Sequence, residues 1–399
     1  MFVLYWFGIF LLFFNLDQSL GIGCDKPTPI EDNSQLSSIQ SCQIVNGDLV
    51  IQKFKDPLIE LTNLEKINGN LIIKESAELV RVEAPKLTSL NELKLSQLTS
   101  LSLVSFPNLR NVNSLNWQVI PILSNIRFSS DVKDIENIVI SDTSLTGFSG
   151  FQTKVLRNLD INNNRFLETI NSNVESITGK LKIVSNASNL KLSLPDLKSV
   201  DTVSINDVEE LNLSGLKEIN SSISLINNHF QKLLLENLTS IGGTLSISDN
   251  TRLSDIDLKN LKEVRGGLMI INNTDISQVD FLKKLRVIDG GLEVSGNLEY
   301  LDFPELKLIK GSVKIKSTNK KFNCNKIIRE KLSLALRGGK ITCESIDPSN
   351  NYRSIDGLND LEDVNNNFGY NATQISNGNR LTPIIMQLMR SVSTFAGGL

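Results

Sequence analysis

The chain has one histidine in 399 residues, His229, and only four cysteines. That scarcity removes most nucleophilic and metal chemistry. A Ser-His-Asp or Cys-His arrangement would have to be built on His229, and no Asp or Ser motif surrounds Asn227-Asn228-His229-Phe230 with the required logic. The residue reads as a lone exposed His at a turn. Zinc-ligand spacing is absent, and no Gly-rich loop is placed to cradle a phosphate, so no cofactor or metal is expected. The net charge is −3, without a basic run or a basic-aromatic cluster, which argues against nucleic acid as a partner. Between residues 44 and 320 there is also no segment of helical period.

What fills that span is a repeat. A Leu, Ile or Val recurs at Leu49, Leu71, Leu93, Leu115, Ile138, Leu159, Leu181, Val203, Ile223, Leu245, Leu268, Leu292 and Val313, with gaps of 20 to 24 residues. A fixed period of this size marks a solenoid. The clearest units read Ile67-Asn68-Gly69-Asn70-Leu71-Ile72-Ile73, Gly243-Thr244-Leu245-Ser246-Ile247 and Gly291-Leu292-Glu293-Val294. Alternation of apolar and polar residues after a Gly predicts a strand, with the Gly supplying φ > 0 at the turn into it. A second alternating run follows (Leu253 to Leu258, Leu298 to Phe303), and an apolar pair such as Leu261 with Val264 closes the unit. Three short strands cannot bury a core alone, but stacked in parallel they form one continuous apolar column. The expected fold is all-β: a right-handed parallel β-coil of triangular section, preferred over a leucine-rich-repeat horseshoe because that fold places a helix or 3₁₀ segment in each unit. Thirteen turns at about 4.8 Å make a rod of about 60 Å. Residues 93–150 lose the Gly, and Trp117 to Leu123 is irregular, which predicts a kink or a sub-domain boundary near 115–150.

The four cysteines all flank the repeats: Cys24 and Cys42 before them, Cys324 and Cys343 after. Three pairings can be drawn. A rod this long would hold the two pairs tens of ångströms apart, whereas a disulfide needs Cα atoms within about 7 Å. The local pairs Cys24–Cys42 and Cys324–Cys343 are therefore expected, as staples in an N-terminal cap (22–43) and a C-terminal cap (321–343). Lys326 to Leu336 has a helical pattern ended by Gly338 and reads as a lid on the column. An apolar run opens the chain, with Ser19 and Gly21 small before a cut, so residues 1–21 read as a secretory signal peptide, with a retained anchor as the alternative. Residues 344–376 are polar and repeat-free, a linker. Ser376-Asn377-Gly378-Asn379 followed by an apolar tail reads as a GPI-attachment signal over 377–399, with Asn377 the attachment site. N-glycosylation sequons stand at Asn186, Asn212, Asn220, Asn237, Asn272 and Asn371.

Two polar columns are candidates for function. Asn164, Asn186, Asn228, Asn250, Asn273 and Asn297 each lie five residues after an anchor. They read as a turn ladder, since Asn tolerates the left-handed region and its amide can bond neighbouring backbone; a sugar-binding row is the alternative. Asp257, Asp280 and Asp302 share an outward place in the second strand, as do Glu60 and Glu83 in the first two units. Glycoside hydrolysis needs carboxylates roughly 5–9.5 Å apart. This stripe is the one basis for an enzyme, a secreted polysaccharide hydrolase or transglycosylase. The other readings are a solvated polar face and a contact for a cation or a sugar amine.

Together, the signal peptide, the Ile-x-Gly-x-Leu-x-Ile units (Ile67 to Ile73, Ile241 to Ile247), the Cys324–Cys343 cap and the C-terminal signal resemble the fungal GPI-anchored cell-wall glycoproteins with receptor L-domain-like repeats. That family includes the yeast sporulation-specific and extracellular-matrix-organisation proteins. The resemblance implies a role in cell-wall integrity, in some members in spore-wall formation, and no established reaction. Expected partners are wall glycans or surface proteins, and the membrane through a GPI lipid.

Overall fold

The computed structural model describes residues 23–353 apart from 26, 129–131 and 150–152. The stretches read as a signal peptide (1–21) and a lipid signal (377–399, with Asn377), and the sequon residue Asn371, lie outside the described residues.

All thirteen anchors stand in one parallel ladder. Leu49 pairs with Leu71, Leu71 with Leu93, and so on through Ile138, Val203 and Leu268 to Val313. None is more than 2% exposed. Two residues on, the strand pleat turns a second column inward, Ile51, Ile73, Leu95, Trp117 and Ile140 among its members, each at most 1% exposed. No single unit has an inside of its own; the core exists only because equivalent residues stack.

The ladder has one rung more than the period foretells. Strand Ile341–Glu344 lays Ile341 against Val313 and Cys343 against Ile315. The lid precedes it: helical turns from Cys324 to Ala335, π-wound over Ile328–Leu332, bury Cys324, Ile328, Leu332 and Ala335. Asn323 caps this helix by accepting the Lys326 N–H at 3.0 Å. The strand Tyr352–Arg353 then pairs antiparallel with Ile341–Glu344. Ordered structure therefore runs ten residues past the expected end of the cap at 343. At the other end Ile30 bridges Ile51, and a short helix, Asn33–Ser37, buries Leu36. Cys24 bonds Cys42 and Cys324 bonds Cys343, with Cα atoms 5.8 Å apart in each pair.

The irregularity near 115–150 falls on one face only. The anchor ladder crosses it unbroken, Leu115 to Ile138 to Leu159. The second-strand sheet stops at Asn125–Phe128 and resumes at Gly147–Phe148. In the unbroken ladder of the turn where that sheet stops, Trp117 replaces an aliphatic column member. It meets Phe128 edge-on at 5.7 Å, and Phe128 stacks on Phe106 at 6.0 Å.

Two local expectations are corrected. The Gly before the strand has φ > 0 only in the first and last rungs, at Gly47 (φ 106) and Gly339 (φ 73); in the units between, Gly69, Gly243, Gly267 and Gly291 do not. It is there for close approach, since a Cβ on Gly242 would sit 1.9 Å from the Asn220 carbonyl oxygen one turn below. The left-handed corner lies instead four residues after the anchor, at Lys53, Glu75, Gln97, Val119, Asp142, Asn163, Ser185, Asp207, Asn227, Asp249 and Asn272. Six of these eleven are Asn or Asp, which tolerate the left-handed region; at Lys53, Glu75, Gln97, Val119 and Ser185 the stack of neighbouring turns holds that geometry.

Candidate functional site

The Asn column sits one residue beyond the left-handed corner and points inward. Asn164, Asn186, Asn228, Asn250 and Asn273 are all buried. The Asn228 N–H and amide donate to Asn250 Oδ1 at 2.9 and 3.0 Å, and the Asn250 N–H and amide donate to Asn273 Oδ1 at 3.0 Å each. Each amide also donates to a carbonyl from the strand below: Asn228 to Ile205, Asn250 to Leu225 and Asn273 to Ile247, at 2.8–2.9 Å. The row is a wall of the core and offers nothing to a sugar. Asn297 is the exception. It is exposed and accepts nothing from Asn273, because its turn leaves the strand through Gly296 at φ 152. At the far end Thr143 joins, donating its N–H and hydroxyl to Asn164 Oδ1 at 3.0 and 2.7 Å.

Asn186 belongs to this wall, and its buried amide sets it apart from the other sequon residues. Its Oδ1 accepts from Asn164, and its Nδ2 donates to the Ile161 carbonyl at 2.9 Å. Glycosylation would leave the Oδ1 acceptor and one amide N–H, but the sugar on Nδ2 would need room that the buried wall does not give. The sequon residues Asn212, Asn220, Asn237 and Asn272 are exposed.

The acidic stripe is not one column. Asp257 belongs to a two-stranded ladder with Lys232–Leu234, whereas Asp280 and Asp302 follow the separate pair Gln278–Val279 and Tyr300–Leu301. Glu60 does stand opposite Glu83, but the next residues in that register are Ser105 and Arg127. Lysines from the same corners meet the carboxylates. Lys259 Nζ lies 2.8 Å from Asp257, and Lys283 Nζ lies 3.3 Å from Asp280. Burial opposes the charge on Asp257, but the Lys259 ammonium and backbone N–H outweigh it and hold the carboxyl below its ordinary range. A general acid would need the opposite shift. Asp280 does line a recess of about 280 Å³, with Asp255, Asp275, Ser277 and Gln278, at the break between the two short sheets.

His229 is half-buried, not exposed as its turn position suggests; its Nδ1 is buried without a partner, and its N–H donates to the Val208 carbonyl. Among the described residues no group of three or more His, Cys, Asp or Glu is placed to hold a metal ion.

Likeness to known proteins bears on the same surface. The receptor L-domain family model matches residues 237–334. Sporulation-specific protein 2 of Saccharomyces cerevisiae is 38% identical over 320 residues, covering 79% of this chain and 64% of that protein. Sporulation-specific protein 22 of the same yeast is 39% identical over 321 residues, covering 79% of this chain and 69% of that protein. The chain belongs to this fungal family of receptor L-domain surface proteins. The cell wall mannoprotein PST1 of that yeast is a more distant member, 34% identical over 287 residues, which cover 71% of this chain and 64% of its own. The chain thus spans just under two thirds of two of these relatives. Membership places it at the cell surface, where relatives are cell-wall and GPI-anchored proteins. No solved structure matches it.

Proposed function

We propose that the protein is a non-enzymatic wall glycoprotein that contributes to fungal cell-wall organisation by presence and position. The observation that carries this reading is the state of the candidate carboxylates: they are split between separate sheets, and Asp257 and Asp280 are each met by a lysine from their own corner. In this reading residues 1–21 direct secretion, a linker beyond Arg353 leads to lipid attachment at Asn377, and Asn212, Asn220, Asn237, Asn272 and Asn371 carry glycans. The outer faces of the coil meet glycans or surface proteins. The recess around Asp280 is a place for sugar hydroxyls, because Asp255, Asp275, Ser277 and Gln278 present acceptors and donors side by side. The spore wall is one setting in which the family's sporulation-specific relatives suggest this role.

The double variant Asp280→Asn/Asp302→Asn tests the non-enzymatic core of the proposal. Cells carrying it should keep every glycan-modifying activity on β-glucan and chitin. Loss of one such activity would establish the hydrolase or transglycosylase reading instead.

A further inference from the structure

The outer face of the anchor sheet loses its charge over four consecutive turns. In strands Ser199–Asn206, Ile223–Ile226, Leu245–Ser248 and Leu268–Ile271 the core takes the Leu, Ile and Val residues, so the alternate residues turn outward. Ser204 stands opposite Ser224, Ser224 opposite Ser246, and Ser246 opposite Met269. Two residues on, Asn206, Ile226, Ser248 and Ile271 form a second column. None of these outward residues is charged. In other turns the first column holds Lys94, Asp160, Lys182, Glu293 and Lys314. Charge returns at the corner, at Asp207 and Asp249.

The hydroxyls of this face are of two kinds. Ser222 accepts the Thr244 N–H at 2.9 Å and Thr244 accepts the Gly267 N–H at 3.2 Å, so that row is tied into the sheet. The side chains of Ser204, Ser224 and Ser246 are half-buried and have no hydrogen-bond partner among the described residues. They recur once per turn, about 4.8 Å apart. Ile226, Met269 and Ile271, also half-buried, place aliphatic surface beside that row. Free hydroxyls at a constant step, next to aliphatic groups and without charge, match a ligand that is itself neutral, hydroxylated and repeating. The serines can exchange hydrogen bonds with ring hydroxyls, while the aliphatic groups cover the C–H faces of the sugars. A second copy of the chain fits less well. Four strands about 4.8 Å apart, each about 13 Å long, give about 250 Å². A standard protein interface takes roughly 800 Å² from each partner.

We propose that this face binds an extended, neutral polysaccharide, running across the turns so that Ser204, Ser224 and Ser246 each meet one sugar. This rests on the wall-glycoprotein reading and assigns it a surface and a class of polymer.

The test uses the full secreted chain and two particulate probes, chitin and β-1,3-glucan. Retention on at least one is expected, and it should change little with salt, because no charge takes part. Which particle retains the chain identifies the polymer. Lys already occupies the first column at Lys94, Lys182 and Lys314, so Ser224→Lys/Ser246→Lys should fold, as circular dichroism will check. It should lower retention on the order of a hundredfold, since each ammonium would lie unpaired against the sugars. Ser224→Ala/Ser246→Ala should lower it about tenfold through two lost hydrogen bonds. Asn116→Lys/Val139→Lys, the same change of charge in the same column but in earlier turns, should leave it unchanged. Retention on neither particle, retention abolished by salt, or an unaffected Ser224→Lys/Ser246→Lys variant would each overturn the proposal. So would a dimer that this variant splits without loss of retention, which would make the face a contact between copies. Rescue of deleted cells separates this face from the wall role. A chain that restores the wall but is held by neither particle removes the face and leaves the role standing. A deletion without any wall defect counts against the role itself.

Discussion

A buried amide in this solenoid is worth more than an exposed one of identical chemistry a turn or two away. Replacing Asn250 by Ala strands the Asn228 N–H and the Leu225 carbonyl in the core, which should cost about 2–4 kcal/mol. Asn297→Ala, on an exposed residue outside the ladder, should cost less than about 0.5 kcal/mol. Urea unfolding of the two variants checks the difference. The same geometry predicts glycan occupancy: Asn186→Gln should leave the number of endoglycosidase-sensitive glycans unchanged while lowering stability. Glu175 supplies a pH signature. Lys198 first and Lys154 second hold its carboxyl at about 2, down from 4.5. The folded chain then keeps this charge where the unfolded chain has taken up a proton. Its contribution is complete above the unfolded value and is lost as pH falls from 4.5 towards 2. Glu175→Gln should flatten the acid limb of the stability profile in that window and leave the neutral region unchanged. The group is exposed, so the effect will be small.

At the scale of the element, backbones stack so closely at the corner before each strand that some positions admit no side chain. Gly242→Ala drives a Cβ to 1.9 Å from a backbone oxygen, whereas at Gly267 the nearest atom is 3.4 Å away. The first substitution should destabilise the fold by about 2 kcal/mol or more, read as a clear fall in the thermal midpoint, and the second should be tolerated. How much of this was legible in advance differs from element to element. The thirteen anchors were, because stacked units must repeat their inward residues. The fourteenth rung, Ile341, was hidden by the helical insertion that puts it 28 residues after Val313. Its signal was present all the same in Gly339-Lys340-Ile341-Thr342-Cys343, a Gly followed by alternation. The division of the acidic stripe was hidden for a similar reason. Equivalent positions were read down the column, while Lys259 and Lys283, two and three residues along the chain from their aspartates, decide its charge. The buried direction of the Asn row was invisible because only the stack shows that the residue after a left-handed corner turns inward.

At the scale of the molecule, a solenoid has long faces and no enclosed centre, which suits a protein that works by where it is held. Stability in such a stack is carried by nearest-neighbour contacts, and the two disulfides close the ends that have a neighbour on one side only. Removing the tail should therefore leave the fold intact while changing location. The most direct measurement is wall integrity in cells whose only copy is cut after Asn371. The chain should appear in the medium, folded and with both disulfides formed, and the cells should show most of the sensitivity to wall-perturbing dyes seen in the complete deletion. Full restoration of wall integrity by the released chain would contradict the account, since a diffusible activity would then be sufficient without attachment.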